Sequence, residues 1–255
     1  MNGLVGKVVV VAGGAGGIGS ATSLRLGREG AAVVVGDLDA AAAQAVASEI
    51  VERGGRALAV GFDISDDASV AALIQAAVGE FGGLDALHAN AADLTPQTIG
   101  SDTDALTVAL GVFDRTMTVN MRGHLLCTRH ALPELFRRGG GALVFTSSAA
   151  AFIGEPERPS YAMAKSAINA LVRHVASRWG KEGIRANAVA PGLVLTDAVR
   201  SSLDPTFRDY ALSVTRSARL GTPEDIAAMV AFLCSADGEW INGQIISVDG
   251  GATLR

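Results

Sequence analysis

The stretch KVVVVAGGAGGIG, at residues 7–19, decides the fold. Its first half, Lys7–Ala12, is apolar and β-branched without alternation, which predicts a strand buried on both faces of a parallel sheet. The glycines that follow open a helix, and such a turn lets a diphosphate approach amide groups where the helix dipole favours anions. Two glycine patterns fit this turn and leave its register open: GxGxxG at Gly14, Gly16 and Gly19, and GxxxGxG at Gly13, Gly17 and Gly19.

Short apolar runs alternate with helical stretches along the rest of the chain. Further strands are predicted at Ala32–Gly36, Ala57–Val60, Leu84–His88, Ala142–Thr146, Ile184–Ala190 and Gln244–Val248. Helices are predicted at Ile18–Glu29, Ala40–Arg53, Asp67–Phe81, Val112–Phe136, Tyr161–Gly180 and Pro223–Ser235. This alternation predicts an α/β fold with a doubly wound parallel sheet of about seven strands and helices on both faces. No linker divides the chain, so residues 1–255 are expected to form one domain.

The composition indicates a compact globular protein. Of the 255 residues, 49% are hydrophobic and 18% charged, which is too apolar for a disordered chain. A net charge of −5 argues against nucleic acid as a partner, and no apolar run near a terminus approaches the ~20 residues of a membrane helix. The N-terminal residues lack the pattern of a signal peptide. Because only two cysteines are present, Cys127 and Cys234, we expect free thiols and a cytoplasmic location.

Carboxylates follow the second and third strands, where a dinucleotide would place its adenosine. Asp37 lies 18 residues after the last glycine of the turn and is predicted to accept hydrogen bonds from the ribose hydroxyls. The alternative is a helix-capping role, which Asp39 could fill instead. Neither Leu38 nor the glycine turn supplies a cation for a 2′-phosphate, so NAD is the expected cofactor. Asp63 and Ile64 are predicted beside the adenine ring, with helix capping an equal alternative for Asp63.

Candidate catalytic residues lie in the second half of the chain. Tyr161 and Lys165 are spaced i, i+4 and therefore share one helix face. The alternative is a tyrosine packed at a helix end beside a solvated lysine. An ammonium ~5 Å from the phenol at an effective dielectric of ~20 would favour the phenolate by about 3 kcal/mol, which suits acid–base catalysis near neutral pH. Ser148 follows the fifth strand and could polarise a substrate carbonyl, or serve only in a turn. Asn120 lies inside a predicted helix as a structural amide or as the holder of a proton-relay water.

With these residues in view, the sequence resembles the short-chain dehydrogenase/reductase family over essentially its whole length. The resemblance favours the Gly13, Gly17 and Gly19 register and implies a Rossmann-type sheet and NAD(P)-dependent conversion between alcohols and carbonyls. The matching residues are Gly13, Gly17, Ile18, Gly19, Asn90, Ala91, Ala92, Asn120, Ser148, Tyr161, Lys165, Pro191, Gly192 and the terminal stretch Gly243–Gly251.

The resemblance also assigns a role to each catalytic candidate. It makes Tyr161 the acid/base, while Lys165 binds the cofactor ribose and tunes Tyr161. It makes Ser148 the residue that orients the substrate and Asn120 the holder of the relay water, and it places the Thr196 hydroxyl on the nicotinamide carboxamide. The residues implied to bind the cofactor are Gly13, Gly17, Ile18, Gly19, Asp37, Leu38, Asp63, Ile64, Asn90, Ala91, Tyr161, Lys165, Pro191, Gly192 and Thr196.

The chain departs from the family pattern at two positions. Ala12 stands where the family usually has Thr before the first glycine, and Ala92 where it usually has Gly. The missing hydroxyl at position 12 removes an expected bridge to the Asn90 loop. Two long connections, Asp93–Gly111 and Leu193–Leu220, follow the fourth and sixth strands, where they are either ordinary surface connections or lids. Residues 193–220 are expected to act as a lid over cofactor and substrate.

Several functional hypotheses remain open from the sequence. The favoured one is an NAD-dependent oxidoreductase acting on a hydrophobic secondary alcohol or ketone as a small-molecule substrate. A catalytically silent dinucleotide-binding regulator would be expected to lose a catalytic residue, and an epimerase or dehydratase of the extended branch would be expected to carry a larger C-terminal domain. The four histidines show no metal-ligand spacing, so no metal is expected. A homotetramer is implied by the resemblance alone.

Overall fold

The computed structural model describes residues 1–254, and a parallel sheet forms its frame. Its strands are β1 (Val8–Ala12), β2 (Ala32–Asp37), β3 (Arg56–Gly61), β4 (Ala86–Ala89), β5 (Gly141–Thr146), β6 (Ile184–Pro191) and β7 (Ile245–Val248). All neighbouring strands are parallel, in the order β3-β2-β1-β4-β5-β6-β7. The predicted doubly wound, Rossmann-type α/β sheet is therefore confirmed.

Helices cover both faces of this sheet. They are α1 (Gly17–Arg28), α2 (Ala40–Glu52), α3 (Asp67–Phe81), α4 (Leu110–Met117), α5 (Gly123–Arg137), α6 (Pro159–Trp179), α7 (Asp197–Ser202), α8 (Pro205–Val214) and α9 (Pro223–Cys234). Helices α3, α5 and α6 pack on one face, and α1, α2 and α9 pack on the other. Val8 and Val10 of β1 enter the first core, whereas Val9 and Val11 enter the second. A strand buried on both sides cannot alternate with polar residues, which explains the valine run.

The strand order creates the crevice in which a site can form. The chain crosses from β1 to β2 on one side, and it later returns to β4 on the other side of β1. Ligands of doubly wound sheets bind at such a switch point, beyond the carboxyl ends of the strands. No helix in residues 1–254 is long and apolar enough to cross a membrane.

The single helix predicted over 112–136 is wrong in detail. The chain forms α4, then a π-helical turn at Thr118–Arg122, then α5. A π turn inserts one residue into the helical repeat, and such turns are frequent at functional sites. Apolar periodicity does not reveal it, because the residues on both sides keep a helical pattern. The turn contains Asn120, whose amide bonds the loop after β4 instead of a helical neighbour.

The connection at 193–220 contains two helices that the sequence prediction left out. Thr196 caps α7 through its hydroxyl, and Asp204 caps α8 through its carboxylate. Helix α8 begins with Pro205 directly after this cap, which is the same signal that correctly predicted α9 at Thr222 and Pro223. The Asp204-Pro205 pair was therefore a usable signal for α8.

Candidate active site

The glycine turn between β1 and α1 leaves almost no room for side chains. A Cβ on Gly19 would lie 1.8 Å from the Gly13 carbonyl oxygen. Gly17 has a φ of +44°, and a Cβ there would lie 2.7 Å from Cγ2 of Thr196. A Cβ on Gly16, in contrast, would meet no atom within 4 Å. A Cβ on Gly13 would lie 2.6 Å from the Ala91 backbone and one on Gly14 2.8 Å from the Val11 carbonyl oxygen. All three glycines of the Gly13, Gly17 and Gly19 pattern are therefore required by close contacts, whereas Gly16 of the other pattern is not, and Thr196 lies against the turn.

Asp37 joins the end of β2 to the glycine turn. Its carboxylate accepts hydrogen bonds from the backbone N–H of Ala15 at 2.9 Å and of Asp39 at 3.2 Å. Helix α2 is capped by Asp39, which accepts from the N–H groups of its first turn. The capping alternative for Asp37 is therefore wrong. The neighbouring Leu38 is 72% exposed and supplies no charge.

Asp63 and Ile64 form a turn at the end of β3. The Asp63 carboxylate accepts hydrogen bonds from the backbone N–H and the hydroxyl of Ser65 at 2.8 and 2.6 Å, and the hydroxyl bond lowers the pKa of Asp63. Asp66, rather than Asp63, caps α3. The capping alternative for Asp63 is thus wrong as well. Ile64 is buried, and a Cβ on Gly123 of α5 would lie 2.7 Å from its side chain.

Asn90, directly after β4, links the end of β4 to the ends of β1 and β5 through hydrogen bonds. Its amide Nδ2 donates to the Gly13 carbonyl at 2.8 Å, and its Oδ1 accepts from the Thr146 hydroxyl at 2.8 Å. The Ala12 carbonyl accepts from the backbone N–H groups of Asn90 and Ala91 at 2.9 and 2.7 Å. Ala12 has no hydroxyl to join the first turn to the Asn90 loop, but its carbonyl makes this connection, and the Thr146 hydroxyl supplies a side-chain bond to Asn90.

Helix α6 brings Tyr161 and Lys165 beside the end of β5. The Lys165 side chain is 1% exposed, and its Nζ donates to the Thr146 carbonyl at 2.8 Å. The same Nζ lies 5.6 Å from the centre of the Tyr161 ring. Ser148, two residues beyond Thr146, lies close enough to the Tyr161 side chain for its hydroxyl to lower the pKa of the phenol. Its hydroxyl also accepts from the Ala150 N–H at 3.2 Å, so the turn role is present beside the contact with Tyr161.

Burial dominates the electrostatics of this pair. It lowers the pKa of Lys165 from its ordinary value of 10.5 to about 7. Burial raises the pKa of the Tyr161 phenol, and the hydrogen bond with Ser148 only partly opposes this. The pKa of the phenol is thus raised, and the lowering by Lys165 that the spacing led us to expect is wrong. The i, i+4 spacing placed the two groups correctly, but spacing carries no information about desolvation.

Asn120 is fully buried and bonds the loop that follows β4. Its Oδ1 accepts from the Asp93 N–H at 2.7 Å, and its Nδ2 faces the Asp93 carbonyl at 3.4 Å. Of the two roles open from the sequence, the structural amide is the one these bonds describe. A water-holding role for Asn120 stays a prediction.

Pro191, Gly192 and Thr196 lie at the carboxyl end of β6. Pro191 pairs with Val248 of β7, and a Cβ on Gly192 would lie 2.9 Å from the side chain of Asp249. The Thr196 hydroxyl accepts from the Val199 N–H at 3.2 Å and so caps α7. The fold thus brings every predicted site residue to the carboxyl edge of the sheet.

Sequence reasoning missed two buried histidines next to this edge. His88 Nε2 lies 2.9 Å from the Thr146 hydroxyl, and His124 Nε2 lies 3.2 Å from the Ala91 carbonyl. The Thr146 hydroxyl already donates to Asn90 and a carbonyl only accepts, so each imidazole is the donor. Burial, aided by the charge of Lys165, lowers the pKa of both histidines to about 3. A histidine within the apolar run of β4 was the available signal.

Comparison with known proteins agrees with this geometry. The family model described as enoyl-(acyl carrier protein) reductase matches residues 13–253. A probable short-chain type dehydrogenase/reductase of Bradyrhizobium diazoefficiens is 44% identical, over 96% of this chain and 87% of that protein. The cis-4-hydroxycyclohexanecarboxylate dehydrogenase of Sinomonas cyclohexanicum is 39% identical, over 97% of this chain and 96% of its own.

A solved structure extends the likeness to three dimensions. A 7α-hydroxysteroid dehydrogenase complexed with NADH and 7-oxo glycochenodeoxycholic acid superimposes with a TM-score of 0.92. The two chains are 34% identical, and the match covers 99% of this chain and 96% of the other. Fold and relatives together define a nicotinamide-dinucleotide-dependent oxidoreductase acting on an alcohol or ketone. The chain belongs to the short-chain dehydrogenase/reductase family.

The buried histidines predict acid sensitivity of the fold. Their pKa in the folded protein, about 3, lies below the ordinary value of 6.5, so only the unfolded chain takes up these protons as the pH falls below 6.5. Their contribution to stability is therefore complete above pH 6.5 and is lost toward pH 3, at about 1.4 kcal/mol per pH unit for each histidine. The free energy of unfolding, measured by urea denaturation between pH 7.5 and 5, should fall less steeply with decreasing pH for His88→Gln than for the parent. His174→Gln, at an exposed position, is the control; an unchanged slope in His88→Gln would contradict the prediction.

Proposed function

We propose that this protein is an NAD-dependent dehydrogenase of secondary alcohols in which Tyr161 is the acid/base. The proposal rests on one observation: Ser148, Tyr161 and Lys165 lie together at the carboxyl edge of the sheet. They are next to the junction that Asn90 forms with Gly13 and Thr146 through its side-chain hydrogen bonds. A proton-transferring phenol, a hydroxyl that contacts it and a buried amine lie in one place. A silent regulator would not need all three.

The glycine turn fits a dinucleotide. Side chains are excluded at Gly13, Gly17 and Gly19, so a diphosphate could approach the backbone at the N-terminus of α1. Asp37 lies beside this turn in a position suited to ribose hydroxyls. The nicotinamide cofactor, when bound, would accept or supply the hydride. The further cofactor contacts that we propose involve Ile18, Leu38, Asp63, Ile64, Asn90, Ala91, Tyr161, Lys165, Pro191, Gly192 and Thr196.

The catalytic side chains divide the proton chemistry among them. Tyr161 takes the hydroxyl proton of the alcohol during oxidation and returns it to the carbonyl oxygen during reduction. Ser148 holds the substrate oxygen next to the phenol and stabilises charge on it. Lys165 binds the cofactor ribose and, as a cation, favours the phenolate, while Asn120 holds the relay water. Because burial raises the pKa of Tyr161, an added positive charge near the phenol is needed for it to act as a base near neutral pH.

NAD rather than NADP is the proposed cofactor. One unit of like charge about 4 Å from Asp37 costs about 1 kcal/mol in water and about 4 kcal/mol at an effective dielectric of 20. A 2′-phosphate carries more than one such unit, and it removes the hydroxyl that Asp37 would bind. Leu38 supplies no compensating cation.

The substrate that we propose is a hydrophobic alcohol with its hydroxyl on a saturated ring. The candidate pocket edge includes Leu94, Phe152, Leu193 and Leu195, which are apolar. Two relatives carry names of ring alcohols, a hydroxycyclohexanecarboxylate and a 7α-hydroxysteroid. Residues 193–220, which hold α7 and α8, would close over cofactor and substrate and exclude water.

We also propose a cytoplasmic homotetramer. Large apolar side chains remain exposed on α5 and α6, among them Leu125 at 48% and Met163 at 48%, and Trp240 is 97% exposed. Contact with further copies of the chain would cover such surfaces. Both cysteines are free and buried, which raises the pKa of each thiol to about 12 and suits a reducing compartment.

Replacement of Tyr161 by Phe tests the proposed function. The variant keeps the ring but loses the proton, so kcat should fall at least ~100-fold while NADH binding stays within about threefold. Activity is followed as NADH absorbance with a panel of cyclic secondary alcohols, and binding as NADH fluorescence. His174→Gln, an exposed change further along the helix that carries Tyr161, is the control. A Tyr161→Phe enzyme as active as the parent would rule out the proposed acid/base.

Replacement of Asp37 by Ala tests the cofactor preference. The parent should prefer NAD over NADP by at least about tenfold in kcat/KM. Asp37→Ala should reduce this preference, because kcat/KM should fall with NAD and rise with NADP. Asp39→Ala is the matched control, because the hydrogen bonds of the Asp39 side chain are to the first turn of α2, from the N–H groups of Ala41 and Ala42. Equal use of NAD and NADP by the parent would contradict the role given to Asp37.

A further inference from the structure

The first turn of α6, which carries Tyr161, lacks a cap of its own. The residue at the N-cap position is Arg158, which has a φ of +65° and no side-chain hydrogen bond to the helix. An arginine side chain has no acceptor to offer. Pro159 follows and has no N–H, so Ser160 and Tyr161 are the first residues whose backbone N–H groups need an acceptor.

Asp102, from the connection between β4 and α4, supplies that acceptor. One carboxylate oxygen accepts from the Ser160 N–H at 3.2 Å and the Ser160 hydroxyl at 2.8 Å, and the other accepts from the Tyr161 N–H at 2.9 Å. The Asp102 carbonyl accepts from the Arg158 N–H at 2.9 Å. Asp102 is 2% exposed. These bonds are those of an N-cap residue, although Asp102 lies 56 residues before Arg158 in the sequence.

Two further anchors of α6 lie beyond its first turn. Lys165 is held by the Thr146 carbonyl, and Asn169 accepts from the Ser147 hydroxyl at 2.6 Å. Both contacts are with the end of β5 and do not involve the first turn. Loss of the Asp102 carboxylate would therefore loosen the turn that holds Tyr161 while the rest of the helix stays packed.

We propose that Asp102 is a positioning residue for Tyr161, capping the catalytic helix from the 93–111 connection and thereby fixing the phenol against Ser148. The inference rests on the proposed function of Tyr161. It also assigns a role to the 93–111 connection, which is attached by Asp102 to α6, the helix that carries Tyr161.

The test compares three variants by kinetics and by a spectroscopic reporter. The chain contains two tyrosines, Tyr161 and Tyr210, so protein labelled with 3-fluorotyrosine has two ¹⁹F resonances, which Tyr210→Phe assigns. Asp102→Ala removes the cap, and Asp102→Asn keeps one oxygen acceptor. Asp104→Ala is the matched control, because Asp104 accepts from N–H groups of its own exposed turn, at 2.8 and 3.0 Å.

Asp102→Ala should lower kcat at least tenfold, toward the ~100-fold that a misplacement of about 1 Å can cost. The Kd for NADH should stay within about twofold, and the Tyr161 resonance of the free protein should move toward its unfolded position. Asp102→Asn should give a kcat and a Tyr161 resonance between those of Asp102→Ala and the parent. If Asp102→Ala does not fold, the test is made with Asp102→Asn. Asp104→Ala should match the parent in all three measurements.

A Tyr161 resonance that keeps its place in the folded Asp102 variants overturns the proposal, whatever happens to kcat. Equal losses of kcat and NADH binding also overturn it, since they indicate general damage to the site. Failure of the proposed function is distinguishable: Tyr161→Phe would then be active, while the ¹⁹F comparison would still report whether Asp102 holds the first turn.

Discussion

The candidate site depends on a buried amine held by a strand-end carbonyl. Lys165 is 1% exposed, and its Nζ donates to the Thr146 carbonyl at the end of β5. Burial of an ammonium is unfavourable, and here it lowers the Lys165 pKa to about 7. The interaction fixes α6 against the sheet, and with it the separation between Tyr161 and Ser148. The Thr146 side chain extends the same junction to Asn90, which in turn binds the glycine turn.

Parallel topology explains why residues far apart in sequence meet at this junction. Each strand of a doubly wound sheet ends at the same edge, so the residue after each strand faces that edge whatever its sequence distance from the others. Asp37 ends β2, and Asn90 and Ser148 come after the ends of β4 and β5, so that all three lie at this edge. The helix carrying Tyr161 is then fastened twice, by Lys165 on the sheet and by Asp102 on its first turn. The resulting site is supported from both ends of the same helical segment.

The sheet and the location of the site followed from the sequence, but the electrostatics did not. Valine runs located the strands, and strand-end residues located the edge, because burial on both faces and parallel order leave few alternatives. The π turn at Asn120 and the cap from Asp102 were missed, since both depend on contacts between distant segments. The pKa values of Lys165 and Tyr161 were missed because desolvation is a property of the packed structure. Capping roles for Asp37 and Asp63 were open alternatives until Asp39 and Asp66 were found at those positions.

The central claim is hydride transfer between a ring alcohol and NAD. Its most direct test is the transfer of deuterium from the alcohol to the cofactor. The enzyme would be incubated with NAD and ring alcohols that carry deuterium on the carbinol carbon, a 7α-hydroxysteroid and a 4-hydroxycyclohexanecarboxylate among them. Mass spectrometry of the recovered cofactor should show one deuterium in each reduced molecule. Reduced cofactor without deuterium, or no reduced cofactor with any alcohol of the series, would contradict the account.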